Sequence, residues 1–184
     1  MKENLDTRVV NQFCMYYGAI VGTLTSASFL CSMLGLQSAV WGLMSNVLGV
    51  MAVYVAGRQV RNLRQTYQPF GFGRVCWTTV QVYLYAILLT GAVQYIYFTF
   101  FDKGRLAGAL EAMFNQDAYK QMLQSMLNGQ DTTEALRLVT EALLSPTGAT
   151  IQMMWMNIMI ALFLLIPTAL IAISGGERTA KKKY

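Results

Sequence analysis

The side chains that could do chemistry in this sequence are few, and their setting is apolar. Histidine is absent, which removes the commonest general base and the commonest metal ligand. Three cysteines, Cys14, Cys31 and Cys76, lie inside apolar stretches. An odd number in such places argues against a disulfide framework and for small buried hydrophobes. The stretch Phe70-Gly71-Phe72-Gly73-Arg74 has closely spaced glycines. It lacks the preceding strand and the following Lys-Ser/Thr of a phosphate-binding loop, so it reads as a flexible lead-in to a helix. The sequence shows no serine-nucleophile motif, zinc pattern or paired carboxylates in a credible site. No catalytic, cofactor-binding or metal-binding residue is therefore expected, no cofactor is called for, and the chain is expected not to be an enzyme.

Three groups of residues remain as candidates. Gln81, Gln94 and Asn157 are polar residues within long apolar runs. They either bond between helices or line a polar track that a small oligomeric transporter or lipid-binding protein would use. Gly18 and Gly22 form a GxxxG extended by Ser26. Such spacing lets two helix backbones approach closely, either within one chain or between two copies. Arg58, Arg61, Arg64 and Arg74 form a basic group without an intervening acid. They are expected to set topology and to contact anionic lipid headgroups.

The elements that position these residues follow from where charge is missing. Val9 to Gly57 contains no charged residue. A single helix of that length would measure about 70 Å at 1.5 Å per residue, whereas the hydrocarbon core of a bilayer is about 30 Å thick. The run must fold back once, and Gly35-Leu36-Gln37-Ser38 supplies a glycine stop and polar turn residues. Spans are expected at about 11–34 and 39–58, then 75–101 and 149–173. The last follows Ser145-Pro146-Thr147-Gly148, read as a loop, and carries an internal Pro167 that should kink it. Four such runs leave no amphipathic elements to cover them in water. The fold class is thus an all-α membrane protein, a four-transmembrane-helix bundle forming one membrane domain over 1–184. Trp41, Trp77 and Trp155 near span starts fit the interfacial preference of tryptophan.

Orientation follows from the basic residues. Arg58, Arg61, Arg64 and Arg74 separate spans two and three, and a tail at 174–184 carries Arg178, Lys181, Lys182 and Lys183. Short segments rich in Lys and Arg stay in the cytoplasm, so both termini are expected inside. The mixed N-terminal charges, Lys2 and Arg8 with Glu3 and Asp6, do not resemble a signal peptide. Residues 102–148 form an outer segment with apolar residues at helical spacing: Leu106, Leu110 and Met113, then Tyr119, Met122, Leu123, Met126 and Leu127. A capping box at Asp131 to Glu134 precedes Leu136, Val139 and Leu143. Two or three short amphipathic helices are expected there, lying on the outer leaflet or docking a partner through a methionine-rich face.

The order of features has a precedent. A tight helical hairpin is followed by a basic inner segment ending in Phe72-Gly73-Arg74. Span three closes on Tyr97-Phe98-Thr99-Phe100-Phe101-Asp102, and an outer segment rich in Met and Gln leads to Ser145-Pro146 and a lysine tail. This resembles, over nearly the whole chain, an uncharacterised family of small four-span inner-membrane proteins common in Bacteroidetes, a domain of unknown function. The resemblance implies a bacterial inner-membrane location and, through association with envelope glycosyltransferases, a place beside an enzyme of lipid-linked sugars. It transfers no catalytic residue. The expected function is a non-enzymatic accessory or assembly subunit of the cell envelope. Its expected partners are the lipid bilayer, anionic headgroups on the cytoplasmic face, and a membrane protein or a second copy of the chain, and not nucleic acid.

Overall fold

A computed structural model describes residues 7–36, 38–67, 71–114, 141 and 145–174. Among these residues five helices form: α1 (Thr7–Gly35), α2 (Ala39–Thr66), α3 (Phe72–Phe100), α4 (Arg105–Phe114) and α5 (Pro146–Ile173). No strand occurs among them. Helices α1, α2, α3 and α5 are each 28 or 29 residues long and apolar enough to cross a membrane. At 1.5 Å per residue each measures about 42 Å, enough for the hydrocarbon core and part of both headgroup layers. The protein is a multi-pass, four-span, all-α membrane protein.

The helices run past the apolar stretches that define them. Helix α2 ends at Thr66 rather than near 58, and α3 begins at Phe72 rather than 75. Arg58, Arg61, Arg64 and Arg74 are therefore helical, and the connection is short. Hydropathy marks where a chain leaves lipid, not where its backbone stops being helical. Arg, Gln and Leu favour helix, and Val60 and Leu63 bury one side of the α2 extension. The extension closes where Tyr67 N–H donates to the Leu63 carbonyl at 3.0 Å. Likewise Ser145 and Pro146 start α5 rather than forming a loop before it. The Ser145 hydroxyl accepts the Gly148 N–H at 3.0 Å, and proline suits a first helical position because its N–H would have no partner there.

The fold has two compact units, with the division falling inside α3 and α5. The first comprises Met1–Thr90 and Trp155–Tyr184. Its contacts join α1 to α2, α2 to α5, α5 to α3 and α3 to α1. One cluster joins Cys14 and Val21 to Ala52 and Ala56 and to Val82, Tyr83 and Ala86, with Ala161 and Leu164 packed against it. A second joins Val60 and Leu63 to Val75 and to Ala169 and Ala172. Small residues at the seams matter because, in lipid, no hydrophobic force pulls helices together; close van der Waals approach and hydrogen bonds must do so. Large apolar side chains point outward instead. Val40, Leu43, Val47, Val50 and Tyr54 run down α2 at helical spacing, all more than half exposed, which suits acyl chains and would be untenable in water.

In the second unit, Gly91–Met154, α3 ends on stacked Tyr97 and Phe101 rings and the chain turns into α4. Lys103 and Gly104 take positive φ angles, 45° and 81°. The buried Asp102 carboxylate holds that turn by accepting the N–H groups of Gly104 and Leu106, each at 3.2 Å. Helix α4 lies in the segment expected to hold short helices, and its Leu106 is buried. The remaining outer readings, from Asn115 through the Asp131 capping box to Leu143, fall outside the described residues, as does the lysine tail.

Candidate functional site

The Gly18/Gly22 stripe lies against α3 of the same chain. A Cβ on Gly18 would sit 2.5 Å from the Tyr85 Cβ and 3.0 Å from the Val82 carbonyl; one on Gly22 would sit 3.0–3.1 Å from Leu89 and the Ala86 carbonyl. Ser26, also buried, turns its hydroxyl back onto the Gly22 carbonyl at 2.7 Å. Thr90 reaches that carbonyl at 3.4 Å and meets Thr25 at 2.7 Å. Helix α3 thus occupies the face that sequence reasoning offered to packing or to a second copy.

Gln81 is half-buried, and its side-chain oxygen accepts the Cys14 thiol at 3.5 Å, a thiol that also lies 3.7 Å from the Thr78 carbonyl. Gln94 is buried and belongs to the second unit, whereas Asn157 is half-buried in the first. Between α3 and α5 lies a cavity of about 50 Å³ lined by Val80, Tyr83, Leu84, Ile87, Ile158 and Leu162, among others. That lining is apolar.

The arginines divide by environment. Arg58 and Arg74 are exposed, and Arg61 and Arg64 half-buried. Arg64 has a structural task, since its guanidinium donates to the carbonyl of Ile173 at 3.1 Å. The last carbonyls of a helix have no intrahelical donor and carry the negative end of its dipole. A cation there completes the C-terminus of α5 and ties it to α2. Arg61 lies a turn beyond the exposed Arg58 along α2.

Sequence reasoning did not pair the hydroxyls that bond helix to helix. The Tyr83 and Thr168 hydroxyls bond at 2.6 Å in the core between α3 and α5. Ser45 on α2 meets Ser28 at 3.1 Å and Ser32 at 2.5 Å on α1, and its carbonyl accepts the Ser28 hydroxyl at 2.9 Å. Serine and threonine at such spacing are visible in the sequence, but which ones face each other depends on how each helix is rotated. Among the described residues no buried side-chain nitrogen or oxygen lacks a partner. Thr25 with Thr90, Ser28 and Ser32 with Ser45, and Tyr83 with Thr168 bond helix to helix, and Ser26, Thr78 and Thr79 bond their own backbone. They hold the bundle together and pin it in register.

No curated protein and no solved structure matches the chain. One family does: its model matches residues 16–173, nearly the whole of the four-span region, and the chain belongs to that family, described as a protein of unknown function, DUF4199.

Proposed function

We propose that this protein is a non-enzymatic subunit of the bacterial cell envelope, an accessory or assembly protein of the inner membrane with both termini in the cytoplasm. The observation that carries the reading is the use made of polar side chains within the spans. Cys14 with Gln81, Thr25 with Thr90, Ser28 and Ser32 with Ser45, and Tyr83 with Thr168 bond helix to helix. They are spent on assembling a scaffold. The apolar runs Val9 to Gly57 and Val75 to Phe101 are also free of the charges that ion paths and proton relays use. The arginines at the facing ends of α2 and α3 favour the cytoplasmic side for that end, and Arg58 and Arg61 there would contact anionic headgroups.

The partner of such a subunit is a membrane protein, and the family resemblance points to an enzyme of lipid-linked sugars. With the Gly18/Gly22 face taken by α3, the partner surface lies on the lipid-facing sides of the spans or on the outer segment. Purification of the tagged chain from its native membrane in mild detergent, followed by mass spectrometry, tests this. A stoichiometric membrane protein, recovered again from a reciprocal pull-down, is expected. Recovery of the chain alone in repeated preparations would overturn the reading.

A further inference from the structure

Asn46 is the one amide side chain between Ala39 and Gly57 of α2. It is exposed, and it forms no hydrogen bond among the described residues. The preceding Ser45 is buried and bonds Ser28 and Ser32 on α1; one residue on, Asn46 points about 100° away around the helix axis. At 1.5 Å per residue it lies about 10 Å beyond Ala39 and about 16 Å short of Gly57. That is well inside an apolar run about 28 Å long, close to the thickness of the hydrocarbon core. Asparagine is too short to reach the headgroup layer from there, and a polar group left unbonded in hydrocarbon costs free energy.

The helix surface around the amide is open. Gly42 and Gly49 lie one turn before and one turn after it, on the same side. The Gly42 backbone is met by Gly35 of α1, but a Cβ on Gly42 would meet nothing within 4 Å, and one on Gly49 only the Ser28 Oγ at 3.8 Å. Gly18, Gly22, Gly57 and Gly91 differ, each facing a neighbour in the same chain at 3.0 Å or less. An interior glycine weakens a helix, and nothing in this chain fills the space beside Gly42 and Gly49.

We infer that this face of α2 docks α2 of a second copy of the chain, with the two Asn46 amides bonded to each other. An amide carries both donor and acceptor, so it complements itself. A two-fold interface sets a residue near its axis against the same residue of the partner. The run from Ala39 to Gly57 holds no charge, so the helix that matches it is apolar with a single amide, and α2 is such a helix. In lipid, helices associate through close packing and polar bonds; Gly42 and Gly49 permit the first and Asn46 supplies the second. A single buried asparagine sets register and partner number in coiled coils in the same way. The Gly18/Gly22 stripe is taken by α3, so self-association falls to α2 rather than α1. This inference does not depend on the accessory-subunit reading.

Energy transfer between donor- and acceptor-labelled chains in phosphatidylcholine vesicles tests this. The fluorophores are attached enzymatically at the C-terminal end, so the native cysteines stay in place. Transfer above that of random proximity is expected, and it should fade reversibly as the chain is diluted into lipid. Asn46→Val should weaken association at least about fivefold, the scale of the bonds that join helices in bilayers. Asn46→Gln, which keeps the amide, should retain most of it, and Gly42→Leu should weaken it by filling the space beside the amide. Because Asn46 bonds nothing within the chain, Asn46→Val at high dilution should unfold at the same temperature as the native chain; a clear fall would place the amide inside the fold and overturn the inference. No transfer above random proximity, or equal association of the native and Asn46→Val chains, would overturn it too. So would a monomeric native chain that carries another membrane protein lost from Asn46→Val, since the face would then belong to that protein.

Discussion

Arg64 of α2 donates to the last helical carbonyl of α5, that of Ile173, at 3.1 Å. The residue expected to read out lipid headgroups is also a helix cap across two elements far apart in sequence. Arg64→Ala should destabilise the bundle by about 1 kcal/mol, the usual scale of a cation at a helix C-terminus. In detergent this is a fall of about 2–4 °C in Tm for a chain of this size. Arg64→Lys keeps the charge and loses the fixed fork of donors, so its Tm should fall between the two.

The glycines offer a paired test of close helix approach. Gly18→Ala forces its Cβ to within 2.5 Å of the Tyr85 Cβ, and neither backbone-anchored atom can swing aside. Overpacking of this kind typically costs about 1–3 kcal/mol. Gly42, early in α2, has nothing within 4 Å of such a Cβ; Gly42→Ala should leave stability unchanged or raise it by up to about 1 kcal/mol through helix propensity. Thermal melts of the two variants should move in opposite directions, or only the first should move.

The Tyr83–Thr168 bond is a buried hydroxyl pair between α3 and α5. A double-mutant cycle with Tyr83→Phe and Thr168→Val should give a coupling of about 0.6 kcal/mol, and not above about 1.7, the range found for hydrogen bonds between helices in bilayers. Thr168 also bonds its own helix at Leu164, so Thr168→Val should cost more than Tyr83→Phe. Reversible unfolding of the four species in mixed micelles measures both statements.

Ser45 is the node of the α1–α2 seam, bonded to both Ser28 and Ser32. Ser45→Ala leaves the Ser32 hydroxyl to find a new partner, while Ser28 keeps the carbonyl of residue 45, and should lower stability by about 1 kcal/mol. Ser38→Ala should be silent, because Ser38 ends the hairpin without a side-chain cap bond. Parallel melts of the two variants check the contrast.

The number and approximate limits of the spans were legible because two quantities determine them: absence of charge over a run, and the thickness of hydrocarbon. Gly35 was legible as a stop for the same reason. The helical extension of α2 from Arg58 to Thr66 was not, since polar residues outside lipid continue a helix as readily as they end one. Nor was the Asp102 turn, whose carboxylate reaches forward to Leu106 N–H in a stretch that reads as the mere end of a span. Gly18 and Gly22 announced a close approach, but their spacing is the same for a neighbour in the chain and for a second copy; Tyr85 and Leu89 of α3 are the neighbours found. The pairings Tyr83–Thr168 and Arg64–Ile173 depend on the rotation of each helix about its axis, which one sequence does not encode locally.

The most direct test of the membrane arrangement is the side on which the arginine-bearing end of α2 lies. Asn62 is exposed on that extension, between Arg61 and Arg64. A single cysteine placed there by Asn62→Cys, with the native cysteines replaced by serine, is treated in intact spheroplasts with a membrane-impermeant maleimide. The account predicts no labelling until the membrane is permeabilised, then full labelling. Labelling in intact spheroplasts would place this end outside and contradict the arrangement.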